Sequence, residues 1–399
     1  MMTIQRVATI ACVLAASSIS LAQTGGKPSD AQLDQARQMR DRAAAFLLSK
    51  QDGDTGGWNV RPDGPNLPAI TGLVLLGMTA DEAFSQRDQA TGRALDRGYE
   101  YVLAMQQNDG GIYDRILPQY NTAISLAALA RRDTQRADAA VKKALGFLRG
   151  MQYSEVAPEE ELRVQQEHPF YGGVGYGSHG RPDNSNLHMF MWALQEAGVP
   201  GDDPAVRRAL VFLERTQMDD RINDMEYADR SRQGGFVYAT SPSGEAMGQG
   251  ESKAAMIEET LDDGTKISRL RAYGSMTYAG FKSYVYADLA TDDLRVTAAR
   301  EWISRNYTLE HNPGLGAEGT YYFLLTFARA LDAFGEPSLE VVNADGSTRE
   351  ANWADDLVDR LAELQQPDGS FRSVNDRWME SDPVLITAYA MVALGEVLD

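Results

Sequence analysis

Six times along this chain a helix-like run closes in nearly the same way, and that recurrence limits the fold more than any other feature. In "FLLSKQDGDTGGW", residues 46–58, an aromatic residue and a branched aliphatic are followed by a glutamine, a glycine pair and another aromatic. Phe46-Leu47 leads to Gln51, Tyr101-Val102 to Gln106, Phe147-Leu148 to Gln152 and Phe212-Leu213 to Gln217. In Trp302-Ile303 the glutamine position is Tyr307, and before Gln365 the aromatic position is Arg360. A glycine-rich stretch follows each: Gly56-Gly57, Gly110-Gly111, Gly172-Gly173, Gly234-Gly235, Gly314-Leu315-Gly316 and Gly369. A second, more apolar segment then begins near Thr71, Asn121, Asn186, Ser275, Gly319 and Pro383.

Each part has a physical reason. A helix end leaves carbonyls without partners, and glycine enters the left-handed conformation that closes the helix at little cost. The glutamine amide can tie the helix end to the glycine turn, because it both donates and accepts. The first helix of each pair is amphipathic, whereas the second is apolar on most faces and must be buried on most sides. Six such pairs predict an all-α chain: an α/α toroid with the amphipathic helices as an outer ring and the apolar ones as an inner ring. An open solenoid is the competing arrangement; the lack of a polar capping unit at either end favours closure. "VVNADGSTRE", residues 341–350, reads as a small hairpin inserted in this frame.

The N-terminus stands outside the repeat. Residues 7–21 are almost wholly small or apolar and end in Ser20-Leu21-Ala22, the layout of a secretory signal peptide. The expected division is a signal peptide over 1–22, a disordered segment over 23–30 and the toroid over 31–399, in a secreted or periplasmic protein. Whether the signal is cleaved or kept as an anchor is left open; no integral span is expected after cleavage. The single cysteine, Cys12, falls within the signal, so the mature chain has no thiol for disulfides, nucleophilic catalysis or zinc. The net charge of −19 is spread along the chain without a basic patch, which excludes nucleic acid as an expected partner.

The unit "KALGFLRGMQ", residues 143–152, resembles the QW-type repeat of squalene–hopene cyclases and of protein prenyltransferase β subunits, and the likeness spans essentially the whole mature chain. The resemblance implies the toroid fold, but the family's chemistry is not carried over. Class II terpenoid cyclases of that family protonate their substrate with the middle acid of a D-x-D-D-T-A motif. The matching stretch here is Gln119-Tyr120-Asn121-Thr122-Ala123, which keeps the Thr-Ala and none of the acids. The prenyltransferase zinc site needs a cysteine that the mature chain lacks. No metal and no cofactor are therefore expected.

In a closed double ring the starts of the inner helices form the natural mouth for ligands. Three clusters are expected there. Residues 170–188 contribute Tyr176, His179, Asp183 and His188; residues 270–289 contribute Tyr273, Tyr278 and Lys282; and Glu318, Tyr321 and Tyr322 open the fifth inner helix. Glu380 and Asp382 precede the sixth, where Asp382 followed by Pro383 also fits a helix cap. The candidate acid or base groups are thus His179, Asp183, Lys282, Glu318, Glu380 and Asp382. The candidate ligand-binding residues are Tyr176, His188, Tyr273, Tyr278 and Tyr321. Such a rim reads as too polar for a polyene. The leading expectation is a toroid that binds an unidentified small molecule, glycan or protein at its mouth. The alternatives are a carbohydrate-active enzyme and a divergent terpenoid cyclase acting through Glu380 or Asp382. Catalysis itself is left open.

Overall fold

The computed structural model describes residues 28–398, apart from 178, 179 and 262. Among the described residues, twelve helices alternate between two rings. The outer helices are α1 (Asp30–Ser49), α4 (Gln89–Ala104), α6 (Gln135–Gly150), α8 (Pro204–Thr216), α10 (Leu294–Arg305) and α12 (Trp353–Leu364). The inner helices are α2 (Pro68–Thr79), α5 (Pro118–Ala130), α7 (Asn184–Glu196), α9 (Gly274–Tyr286), α11 (Thr320–Phe334) and α13 (Pro383–Leu398). A short α3 (Glu82–Ser85) follows α2.

The ring closes. Each inner helix packs on the next, and α13 packs back on α2; each outer helix packs on the inner helix before it in the chain, with α1 seated on α13 and α12. Burial explains the division. Every residue of α2 from Pro68 to Met78 is buried, whereas α4 buries a single face of Leu95, Gly98, Tyr99, Tyr101 and Val102. The fold is therefore the α/α toroid, and the open stack is excluded.

The repeated glutamine joins adjacent units. Gln51 Nε2 donates to Gly56 O (2.8 Å) and to Ala94 O on the next outer helix (2.7 Å). Gln106, Gln152 and Gln217 make the same two bonds to their own glycine turns and to α6, α8 and α10. Gln365 donates to Gly369 O and to Met39 O of α1, which seals the last unit to the first. Where the glutamine is replaced, Tyr307 Oη donates to Asp356 of α12 at 2.8 Å, reaching the next outer helix by another route. The glycine turn needs its residue type for a second reason. Gly172 has φ +81° and a Cβ there would lie 1.7 Å from Arg208 O, so the turn and the next helix approach only without a side chain.

The inserted hairpin exists: β5 (Ser338–Val342) pairs antiparallel with β6 (Thr348–Asn352) beside α10. Two further two-stranded pairs, β1 (Gln217–Asp219) with β2 (Arg232–Phe236) and β3 (Ile257–Thr260) with β4 (Lys266–Arg269), lie between α8 and α9. Ser29 caps α1, accepting from Gln32 N. The signal-peptide segment and residues 23–27 lie outside the described residues. No described helix is long and apolar enough to cross a membrane.

Candidate functional site

A cavity of about 170 Å³ opens where the inner helices begin, and all six contribute to it. The third residue of five inner helices lines it: Ile70, Tyr120, Met276, Tyr322 and Leu385. On α7 the wall is Ser185 and Met189, and Tyr389 adds a second turn of α13. Helix geometry accounts for this, because side chains in the first turn lean toward the N-terminal end and residues at i and i+4 share a face. The loops supply Tyr176, Tyr238, Tyr273 and Trp378. Among the described residues, six phenol rings and one indole thus line this space, with aliphatic side chains, Ser185 and Ser275 between them.

The phenols are held in pairs. Tyr120 and Tyr389 share a hydrogen bond between hydroxyls at 3.1 Å, and burial pushes Tyr120 up to about 12. Tyr322 Oη bonds His188 Nδ1 at 3.0 Å. Tyr238 is backed by Arg181 and Lys253, whose cationic groups lie 5.1 and 4.5 Å from its ring centre and which both pair with Glu251. None of these rings carries charge at neutral pH, since desolvation raises the Tyr238, Tyr273, Tyr322 and Tyr389 hydroxyls far above the ordinary value.

One carboxyl faces this space. Glu380 is 1% exposed; its Oε1 accepts from Tyr322 N at 2.9 Å, while Oε2 has no partner. Helix α11 has no side-chain cap of its own, starting from Gly319 in the left-handed conformation, so Glu380 serves as its cap from another loop. Burial raises the Glu380 carboxyl to about 7 against the opposing pull of the α11 amides. The two residues before it, Trp378 and Met379, both have positive φ (58° and 66°), a conformation costly for large side chains. That bend lays Trp378 across Gly319, where a Cβ would lie 3.0 Å from the indole.

Of the predicted site residues, Tyr176, Tyr273 and Glu380 line the mouth. The others are placed elsewhere. Asp183 is buried and spent on capping α7, accepting from Ser185 Oγ (2.6 Å), Asn186 N (3.0 Å) and Asn186 Nδ2 (2.9 Å). His188 lies below the mouth, its ring stacked on Trp192, with burial and the charges of Arg329 and Lys282 keeping it neutral. Tyr278 is wedged against Phe323 and Phe327, and Tyr321 Oη donates to Arg372 O; both pack away from the cavity. Glu318 pairs with Arg377 at the surface, and Asp382 accepts from Val384 N and Leu385 N as the α13 cap. Lys282 lies at the opposite end of the bore. His179 lies outside the described residues.

The expectation of a polar rim is corrected as well. Tyr273, Tyr278 and Lys282 were expected together at the mouth, but α9 is buried on every side, so its successive residues meet different neighbours. Tyr120, Tyr238, Tyr389 and Trp378 were missed, although the third position of each inner helix is a signal that would have found Tyr120. The retained Thr-Ala has a structural role. Thr122 Oγ1 accepts from Ile112 N (2.8 Å), as Thr71, Thr277 and Thr387 do from Trp58, Phe236 and Phe371 in their own units.

No family model matches the chain, and no curated protein matches it by sequence. Solved structures do share its fold. The type II terpene cyclase MstE from Scytonema is 15% identical with a TM-score of 0.50, covering 92% of this chain and 98% of that one. A GH76A α-1,6-mannanase from Salegentibacter sp. is 10% identical with a TM-score of 0.53, over 92% and 98% of the two chains. A possible GH105 member from Salmonella enterica is 13% identical with a TM-score of 0.54, over 92% and 94%. The chain thus shares the α/α-toroid fold of these structures, which include a terpene cyclase and glycoside hydrolases.

Proposed function

We propose that this protein binds a small, largely apolar molecule in the mouth of the toroid, with Glu380 meeting the molecule's one polar group. The observation that carries this reading is the pairing of an aromatic, aliphatic wall with a single buried carboxyl whose Oε2 is unpartnered. Aromatic rings contribute large apolar contact with little loss of conformational freedom. An unpartnered buried oxygen gains the full benefit of a hydroxyl donor, since nothing else satisfies it. Glycoside hydrolysis ordinarily needs two opposed carboxyls, and among the described residues Glu380 is the one carboxyl lining this space.

A catalytic version of the same reading uses Glu380 as a proton donor. A carboxyl that titrates near 7 suits protonation of an oxygen atom far better than of an isolated double bond. The binding reading stands without this step. In the proposal the protein meets its ligand outside the cytoplasm, after export directed by residues 1–22.

Trp378, at the lip, reports occupancy by its fluorescence. Farnesol and geraniol are expected to quench it saturably and to raise the melting temperature, whereas mannobiose does neither. Equal responses to alcohol and sugar, or no response to either alcohol, would sink the proposal.

A further inference from the structure

The opposite end of the bore holds a second cavity, about 300 Å³, among the last turns of the inner helices. It is walled by charged groups. Arg131, at the end of α5, is bidentate on Glu196 of α7 (2.9 and 2.8 Å). Arg329 of α11 bonds Glu396 of α13 through Nε at 3.0 Å and lies 3.6 Å over the Trp192 ring. Asp332 completes the set on α11. Within this network two donors are left over. Arg329 is 2% exposed and its Nη1 has no partner. Lys282 of α9 is 5% exposed, and its amine makes no ion pair or hydrogen bond among the described residues.

We propose that this cavity is an amine-nucleophile site, in which Lys282 captures a small neutral aldehyde as an imine while Arg329 Nη1 holds the carbonyl oxygen. The Nζ lone pair adds to the carbonyl carbon, and a proton passes from nitrogen to oxygen to give the carbinolamine. Loss of water then leaves a carbon–nitrogen double bond on Lys282, so no oxidant or reductant is consumed. The guanidinium N–H stabilises the oxygen as it gains negative charge. A lysine desolvated beside another cation is held neutral and nucleophilic. Burial and then Arg329 lower Lys282 to about 7, against the smaller opposing effects of Glu396, Glu196 and Asp332. Those three carboxylates and the helix C-termini disfavour an anionic carbonyl compound, which selects a neutral one.

Lysine-directed trapping tests this in the intact folded protein, and its result is independent of any ligand at the mouth. The chain has seven lysines, so peptide mapping after treatment with propanal and cyanoborohydride resolves each one. At pH 7.5, Lys282 is expected to be labelled roughly tenfold faster than the exposed Lys50, Lys142, Lys143 and Lys266, because far more of its amine is unprotonated. Glyoxylate should label it more slowly than propanal does. The Lys282 rate should rise as pH passes through about 7 and then level off. Labelling of Lys282 in urea only, or a rate equal to that of the exposed lysines, would show a sealed ionic plug and overturn the proposal. Faster labelling by glyoxylate would overturn the assignment of a neutral ligand.

Discussion

The two ends of the bore bury an ionisable group each, and both titrate near 7 for the same reason, yet the surroundings are opposite. At the mouth, desolvation raises Glu380 among aromatic rings, with only the α11 amides in opposition. At the opposite end, desolvation lowers Lys282 within a set of two arginines and three carboxylates. A solitary buried carboxyl in an apolar wall makes a place for a ligand. An ionic cluster makes a floor, and among the described residues the Lys282 amine is left outside its ion pairs. Between them, Tyr322, His188 and Trp192 form a packed column, linked by the 3.0 Å bond and the ring stacking. The hollow is therefore two separate chambers.

Removing a cation from the floor should break this contrast most severely. Arg329→Met leaves Glu396 and Glu196 short of a counter-charge in a buried place, so about 3–5 kcal/mol of stability should be lost in urea unfolding. A loss under about 1 kcal/mol would mean that the floor is open to water and uncompensated.

Opposite pH slopes sharpen the comparison. Glu380 keeps its proton in the folded protein up to about 7, while the unfolded chain releases it near 4.5. Its contribution is therefore present below 4.5 and lost as pH rises to 7, and Glu380→Gln should gain about 1–3 kcal/mol at pH 8 and little at pH 4. Lys282 runs the other way. The unfolded chain holds the proton up to about 10.5 and the folded protein only to about 7, so stability falls as pH drops across that window. Lys282→Met should flatten that slope. Denaturation midpoints across pH 4–10 check both, and parallel slopes for the two variants would contradict the contrast.

The smallest effect belongs to the column between the chambers. Tyr322→Phe removes the bond to His188 Nδ1 while keeping the ring, at a cost of about 1 kcal/mol by thermal melting. No change in melting temperature would mean that the bond contributes nothing to the column.

Much of the fold was legible in the chain itself, because its signals are local. The six glutamine-glycine endings state where each outer helix stops, and the apolar second helices state that they are surrounded. Even the exception at Tyr307 is visible as a break in the repeat. The site was legible only in part. That a cavity opens where the inner helices begin follows from the topology, and Glu380 could be named because it precedes such a helix. Which tyrosines face inward could not be read from spacing, since a helix buried all round has no distinguishing stripe. Tyr278 and Tyr389 look alike in sequence, yet one is packed between rings and the other lines the cavity.

What the amino-acid order determined by itself is the unit and its number: local turns, helix polarity and the bonds that tie each glycine turn to its helix are short-range consequences of residue type. What only the tertiary structure decided is company. Glu380 caps a helix whose first residue lies sixty positions earlier, and Lys282 shares a chamber with side chains from α5, α7, α11 and α13. Closing the ring brings those groups together, and desolvation, which depends on every neighbour at once, then sets their chemistry.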